Sequence, residues 1–172
     1  MLKAIVYESN SGFTEKYASL LSEQTGLPAA RLKEASAFAG EDVAFLGWLC
    51  AGSIKGAKKA RARFNVCAVG AVGMATYSSE YEAKLQRENG LEGTPFFYMQ
   101  GGLDMARLKG IYKFMLKAAI RTINAGIEAD IKAGKPLSEE TAAMRELAKN
   151  GGDCVCPENI EKMALWVAEN NK

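Results

Sequence analysis

The first fourteen residues constrain the fold of this chain more than any other stretch. An apolar run from Ala4 to Tyr7 ends at Glu8, a polar turn follows, and a helical pattern begins near Phe13. Where a strand passes through a polar, glycine-containing loop into a helix, backbone N–H groups and hydroxyls converge at the positive end of the helix dipole. This junction suits a phosphate dianion. The alternative is an ordinary helix cap made of Ser and Thr.

The residues of this loop restrict which class of phosphate-binding site it can form. No Gly-Lys-Ser/Thr follows, so the loop is not a Walker motif, and its single glycine, Gly12, excludes the three-glycine dinucleotide fingerprint. We therefore predict a monophosphate that is held by hydroxyls and backbone amides, without a metal ion or a lysine. The residues expected to hold it are Ser9, Asn10, Ser11, Gly12, Phe13 and Thr14.

Five predicted strands alternate with helices over the first hundred residues. The strands lie at 4–7, 29–32, 43–47, 66–72 and 94–100. This alternation favours a parallel α/β sheet with right-handed crossovers. The first, third and fourth strands are apolar runs typical of buried strands, whereas the second is weak. A strand order of 2-1-3-4-5 follows if the weak strand lies at an edge.

In that strand order, a ligand crevice opens at the carboxyl ends of the first and third strands. Three predicted loops reach it, at 9–14, 47–56 and 73–79, and each is rich in Gly, Ser or Thr. Such loops let a planar ring and a phosphate approach the backbone closely.

The remainder of the chain is predicted to be helical. A loop at 101–110 precedes a long amphipathic helix at 111–132, and two shorter helices follow. With no repeat or low-complexity linker, we predict one domain over 1–172, with a core at about 1–132 and a helical C-terminal extension at about 133–172.

Composition excludes several classes of function. The 172 residues carry a net charge of only +2, which argues against a nucleic-acid partner, and no apolar run is long enough for a transmembrane segment. A cytoplasmic location is the expectation. Because the chain has no His and its four Cys form no CxxC pair, we predict neither a metal site nor a His-dependent catalytic residue. Any catalysis would then depend on a cofactor or on carboxylates.

The loop Ser9-x-Ser11-Gly12-x-Thr14 resembles the phosphate loop of flavodoxins, which binds the ribityl phosphate of FMN. The segments 47–56 and 96–116 are similar to flavodoxin-domain proteins related to the bacterial quinone-linked protoporphyrinogen oxidase. The resemblance covers about residues 1–120. It implies a flavodoxin-like three-layer sandwich and FMN as the cofactor.

The resemblance also implies which residues enclose the flavin ring. They are Gly47, Trp48, Leu49, Cys50, Ala51, Gly52 and Ser53 after the third strand, and Gly73, Met74, Ala75, Thr76 and Tyr77 after the fourth. Flavodoxins place a stacking aromatic a few residues past the third strand, whereas here Trp48 follows the strand directly. Trp48 either stacks on the ring or lies buried under the loop, and Tyr77 either stacks or is simply exposed.

These observations leave three functions open. The first is an FMN-binding electron-transfer protein, whose slightly basic chain suggests a redox partner different from that of the acidic flavodoxins. The second is a flavin-dependent oxidoreductase of a porphyrinogen-like or quinone-like small-molecule substrate, with loop 101–110 beside the ring. The third is a flavin-free α/β interaction module whose C-terminal helices bind a partner or form a homodimer, with the apolar face of 111–132 partly exposed.

Two smaller groups of residues also have open interpretations. Cys154 and Cys156 are either a redox pair, half of a metal site or incidental thiols. The basic residues between Lys55 and Arg63 either face an acidic partner or a substrate carboxylate, or form a solvated helix face.

Overall fold

The computed structural model describes residues 1–108, 110–134 and 136–171, and a parallel β-sheet lies at its centre. In chain order the strands are β1 (Ala4–Glu8), β2 (Ala29–Arg31), β3 (Asp42–Cys50), β4 (Ser53–Ile54), β5 (Asn65–Gly73), β6 (Phe96–Gln100), β7 (Gly102–Leu103) and β8 (Gly152–Asp153). The α-helices are α1 (Phe13–Thr25), α2 (Ala57–Arg63), α3 (Ser79–Glu88), α4 (Gly110–Lys132), α5 (Glu139–Asn150) and α6 (Glu161–Asn170).

The five strands of the parallel part of the sheet follow the order β2-β1-β3-β5-β6, and every neighbouring pair among them is parallel. The predicted order 2-1-3-4-5 is therefore confirmed, and the fold is a flavodoxin-like α/β sandwich. In the register of β1 with β3, Glu8 lies beside Gly47. The chain segments that follow these two strands thus start from the same edge of the sheet, which is where the sequence predicts the ligand crevice.

The alternation of side chains along each strand builds two separate cores. On one face, Ile5, Leu46 and Met99 pack with residues of α1 and α6. On the other face, Val6, Phe45 and their neighbours pack with residues of α2 and α3. Both faces of the sheet are covered, which explains why its central strands are apolar at almost every position.

The final helix belongs to the core, although the sequence predicted a helical extension from about residue 133. Ile160, Met163 and Val167 are fully buried and join the cluster that contains α1. None of the described residues of the long helix α4 belongs to either sheet core, and its inner face packs instead on a third cluster around Leu103, Leu108 and Leu147.

After β6 the chain leaves the parallel sheet, and before α6 it returns to a point next to the one at which it left. β7 pairs with β8 in an antiparallel ribbon, with Gly102 opposite Asp153, and the Cys154 N–H donates to the Gly101 carbonyl at 2.7 Å. The residues between the two strands of this ribbon, including α4 and α5, form an excursion from the sheet. At Gly102, φ is 147° and a Cβ would lie 2.3 Å from the Gly152 carbonyl oxygen, so only glycine fits.

A buried tyrosine connects the start of this excursion to its end. The hydroxyl of Tyr17, on α1, donates to the Gln100 carbonyl at 2.5 Å and accepts from Asn159 Nδ2 at 2.8 Å. Tyr17 is completely buried, and this burial raises the pKa of its hydroxyl to about 12. One side chain thereby joins α1, the end of β6 and the segment that leads into α6.

We expect Tyr17→Phe to lower the free energy of unfolding by about 2 kcal/mol at neutral pH, because it leaves buried polar partners without their hydroxyl. Urea denaturation measures this change, and Tyr77→Phe, at an exposed tyrosine, is the control. Since the folded-state pKa of Tyr17 is raised from 10.0 to about 12, its contribution is complete below pH 10 and is lost as the pH rises to 12. A stability difference between wild type and Tyr17→Phe that does not shrink over this range would contradict the assignment.

Candidate functional site

The loop after β1 leads into an N-terminus of α1 that has no side-chain cap. Gly12 precedes the first residue of α1 with a φ of 98°, a conformation that favours glycine, and its N–H donates to Ser9 Oγ at 3.2 Å. Ser9 and Thr14 are almost completely buried. The side-chain nitrogen of Asn10 is also buried and has no hydrogen-bond partner within the described chain. Buried donors are normally satisfied, so this nitrogen needs an explanation.

The segment after β3 differs from the prediction. The sequence predicted a loop from Trp48 onwards, but β3 continues to Cys50, turns at Ala51 and Gly52, and returns as β4. The prediction was wrong because the glycines were assigned to an open loop. Gly47 is instead buried in the strand, where a Cβ would lie 2.5 Å from Ile54 Cγ2 of the returning strand.

The turn of this hairpin has a defined shape. Both of its residues have a positive φ, 49° at Ala51 and 74° at Gly52. Asn89, at the end of α3, donates to the Gly52 carbonyl at 2.9 Å and accepts from the Ile54 N–H at 3.0 Å. The hairpin is therefore held from the side by the neighbouring helix.

A cleft of about 820 Å³ joins the loop after β1 to this hairpin. Six predicted cofactor-binding residues line it, namely Ser9, Asn10, Trp48, Ala51, Gly52 and Ser53. One wall is basic and contains Lys55, Lys58, Lys59 and Arg61, whereas the described acidic lining residues are Glu8 and Glu88. These four residues thus face a cavity as well as solvent, whereas Arg63 donates to the Leu32 carbonyl at 2.7 Å. The excess of positive charge in the cleft favours an anionic ligand.

Trp48 lies half-buried in this cleft and makes an aromatic contact that the sequence did not predict. Its ring meets that of Tyr112, in the first turn of α4, edge to face with centroids 4.9 Å apart. Tyr112 also lines the cleft. Nothing in the sequence indicated this contact, because the periodicity of α4 places Tyr112 on an apolar face without saying what that face touches.

The segment Gly73–Tyr77 lies elsewhere, and none of its residues is among the described lining of this cleft. Met74 packs on the cluster around Leu103, and the Ala75 carbonyl accepts from the Tyr98 hydroxyl at 2.6 Å. Tyr77 is exposed and lies next to Lys162, whose Nζ is 4.6 Å from the centre of the ring. The two segments predicted to enclose a ring instead approach one another, since a Cβ on Gly73 would lie 2.9 Å from Leu49 Cδ1.

The other side of the loop after β1 faces the excursion. A cavity of about 540 Å³ there is lined by Ser11, Phe13 and residues 103–107 and 149–153. Arg107 reaches across it, because a Cβ on Gly12 would lie 3.1 Å from Arg107 Nη1. The guanidinium also contacts Asp104 at 3.2 Å. No sequence signal placed Arg107 against the predicted phosphate loop.

The described residues give little support to a metal site or a reactive thiol. In the ranges 1–108, 110–134 and 136–171, no three His, Cys, Asp or Glu residues are grouped as metal ligands would be. All four cysteines are free, and burial raises the pKa of the Cys154 thiol, which favours its protonated form. Among the described helices, none has both the length and the apolar character required to cross a membrane.

The residues present fit a bound phosphate-bearing cofactor in three respects. The buried Asn10 nitrogen offers a donor without a partner, the N-terminus of α1 has no side-chain cap, and the adjoining cleft has the volume of a typical cofactor site. A comparison with protein-family models and a search of the curated proteins each found no match to this chain.

Proposed function

We propose that this chain binds FMN and transfers electrons in the manner of a flavodoxin. The observation that supports this most directly is the buried side-chain nitrogen of Asn10, which has no partner among the described residues and lies beside the cleft. A buried donor without an acceptor costs about 1–3 kcal/mol. A phosphate oxygen in the loop after β1 would remove that cost.

In this proposal the phosphate is held by residues 9–14 and the rest of the cofactor extends along the cleft towards the hairpin. Ser9, Asn10 and Ser11 supply side-chain donors, and the N-terminus of α1 supplies backbone N–H groups and a favourable dipole. Trp48 and the hairpin turn offer surfaces for the ring. FMN, when bound, supplies the one- and two-electron chemistry. The participation of Gly73–Tyr77 stays a prediction that the geometry of the cleft does not support.

Several features favour a carrier over an enzyme with its own acid–base residues. The chain has no histidine, and the described cleft contains lysines, an arginine and two glutamates. The basic residues of α2 at the mouth of the cleft suit a redox partner with an acidic surface, because complementary charge speeds association. The four free cysteines fit a reducing compartment, so a cytoplasmic location is part of the proposal.

The second candidate is a flavin-dependent oxidoreductase of a porphyrinogen-like or quinone-like molecule, which requires loop 101–110 to lie beside the ring. Loop 101–110 reaches the predicted phosphate loop through Arg107, and a cavity of about 540 Å³ lies between them. This cavity adjoins the phosphate end of the proposed cofactor, whereas an oxidoreductase needs its substrate beside the flavin ring, so its position favours the carrier. Reduction of bound flavin by such a molecule would separate this enzyme from a carrier.

The proposal is tested by the visible spectrum of the purified protein and by calorimetric titration of the flavin-free protein. We expect FMN to bind about tenfold more tightly than riboflavin, or better, because only FMN carries the phosphate. Equal affinity for the two compounds would place the phosphate outside residues 9–14. Binding of neither compound would contradict the cofactor and leave the flavin-free interaction module as the function.

A further inference from the structure

The outward face of α4 is apolar and exposed. Its first turns present Ile111, Phe114 and Met115, residues that are 67%, 73% and 43% exposed. The opposite face of the same helix carries Tyr112, Leu116 and Ile120, which pack on the cluster around Leu103. The exposed residues are therefore not the core-facing side of an amphipathic helix. They form a second apolar stripe, and a patch of this kind commonly marks an interaction site.

The stripe changes in size from one end of α4 to the other. Its first turns are bulky, whereas from residue 118 onwards it consists of small exposed residues, Ala118, Thr122, Ala125, Gly126 and Ala129. A Cβ on Gly126 would meet no atom within 4 Å, so the second half is a shallow, open surface. Two such helices side by side in opposite directions would place bulky residues over small ones at both ends. A parallel pair would oppose bulk to bulk.

One edge of the stripe carries charges of opposite sign, with Lys117 and Arg121 towards the start of α4 and Glu128 towards its end. Lys117 and Glu128 are both exposed and lie about three helical turns apart, which puts them on the same edge of α4. A two-fold axis across two antiparallel helices brings the same edge of each copy together. With the axis near the middle of α4, Lys117 of one copy faces Glu128 of the other, and the pair occurs twice.

We propose that the outward stripe of α4 is the interface of a homodimer, in which two copies of this helix pack antiparallel around a two-fold axis. The bulky and small halves of the stripe, and Lys117 and Glu128, oppose each other in this arrangement and do not in a parallel pair. The outward residues of α4 that form this interface are not among those that line the 820 Å³ cleft. Tyr112 does line the cleft, but it lies on the inner face of α4. The dimer therefore does not depend on whether FMN binds.

Charge reversal combined with mixing tests this interface. Sedimentation velocity over a range of micromolar concentrations should give a dimer for the wild type. We expect Lys117→Glu and Glu128→Lys each to raise the dissociation constant about tenfold, because each creates two like-charged pairs. An equimolar mixture of the two variants restores the opposite charges at both positions and should form a heterodimer of about wild-type affinity. The double variant should also recover.

Two further variants complete the design. Lys84→Glu reverses a lysine on α3 and controls for net charge, so we expect it to leave the dimer unchanged. Phe114→Ser should weaken the dimer about tenfold, since it removes a bulky residue from the stripe. A wild-type protein that stays monomeric, or a dimer unaffected by these changes in α4, overturns the proposal. So does a monomer that sediments with anionic lipid vesicles, because the stripe would then contact lipid.

Discussion

Replacement of Met163 by alanine should lower the free energy of unfolding by about 3 kcal/mol, within the range for large-to-small changes at buried positions. Met163 is completely buried, and its sulfur lies 3.2 Å from the position that a Cβ on Gly70 would take. The methionine thus occupies space that β5 leaves open at Gly70. Alanine would create a cavity there, because a glycine has no side chain with which to fill it.

Urea denaturation and the melting temperature both measure this effect, and we expect a fall in melting temperature of roughly 10 °C. Leu165→Ala is the matched control, since Leu165 lies on the same helix and is 57% exposed. We expect that control to change stability by less than about 0.5 kcal/mol. Equal effects of the two substitutions would mean that α6 does not pack on the sheet.

Substitution of Asn10 by aspartate should weaken FMN binding about a hundredfold while leaving riboflavin binding almost unchanged. The two side chains have the same shape, but the change removes a buried donor and places a carboxylate where the phosphate is proposed to bind. Loss of a charge-assisted hydrogen bond and the repulsion between like charges both act on the phosphate alone. Calorimetric titration with both flavins measures the selectivity directly.

Asn10→Ala separates the two contributions, because it removes the donor without adding charge. We expect it to weaken FMN binding about tenfold. Without ligand, Asn10→Ala should cost little stability, since the nitrogen that it removes has no partner in the described structure. FMN affinity that is equal in wild type, Asn10→Ala and Asn10→Asp would show that the phosphate does not bind at this loop, even if the flavin binds elsewhere.

The parts of the fold that follow from local pattern were predictable from the sequence. The buried strands β1, β3 and β5 are continuous apolar runs, and the strand order follows from their strength relative to β2. The loop from Ser9 to Gly12 was predictable because it combines a strand end, a glycine and a helix start. These signals reflect backbone conformation and burial, which produce recognisable patterns of apolar residues and glycine in a sequence.

The contacts between distant segments were not predictable. The periodicity of α4 and that of α6 are similar, and only packing decides that Met163 covers the sheet while Leu116 covers a loop cluster. The hairpin after β3 was mistaken for a loop because glycine serves both as a flexible residue and as a site of close approach, as at Gly47. Arg107 and Tyr112 reach the candidate site from the excursion, and no spacing rule relates them to residues 9–14.

The ribbon of β7 and β8 brings the two ends of a long segment together at Gly102 and Asp153. A chain that departs and returns at one point can vary between those ends with little effect on the sheet, because the entropy of closing a loop grows only slowly with its length. The parallel sheet and the excursion can therefore change independently over evolution. Loss or exchange of α4 and α5 would alter what this protein contacts and leave the strand order intact.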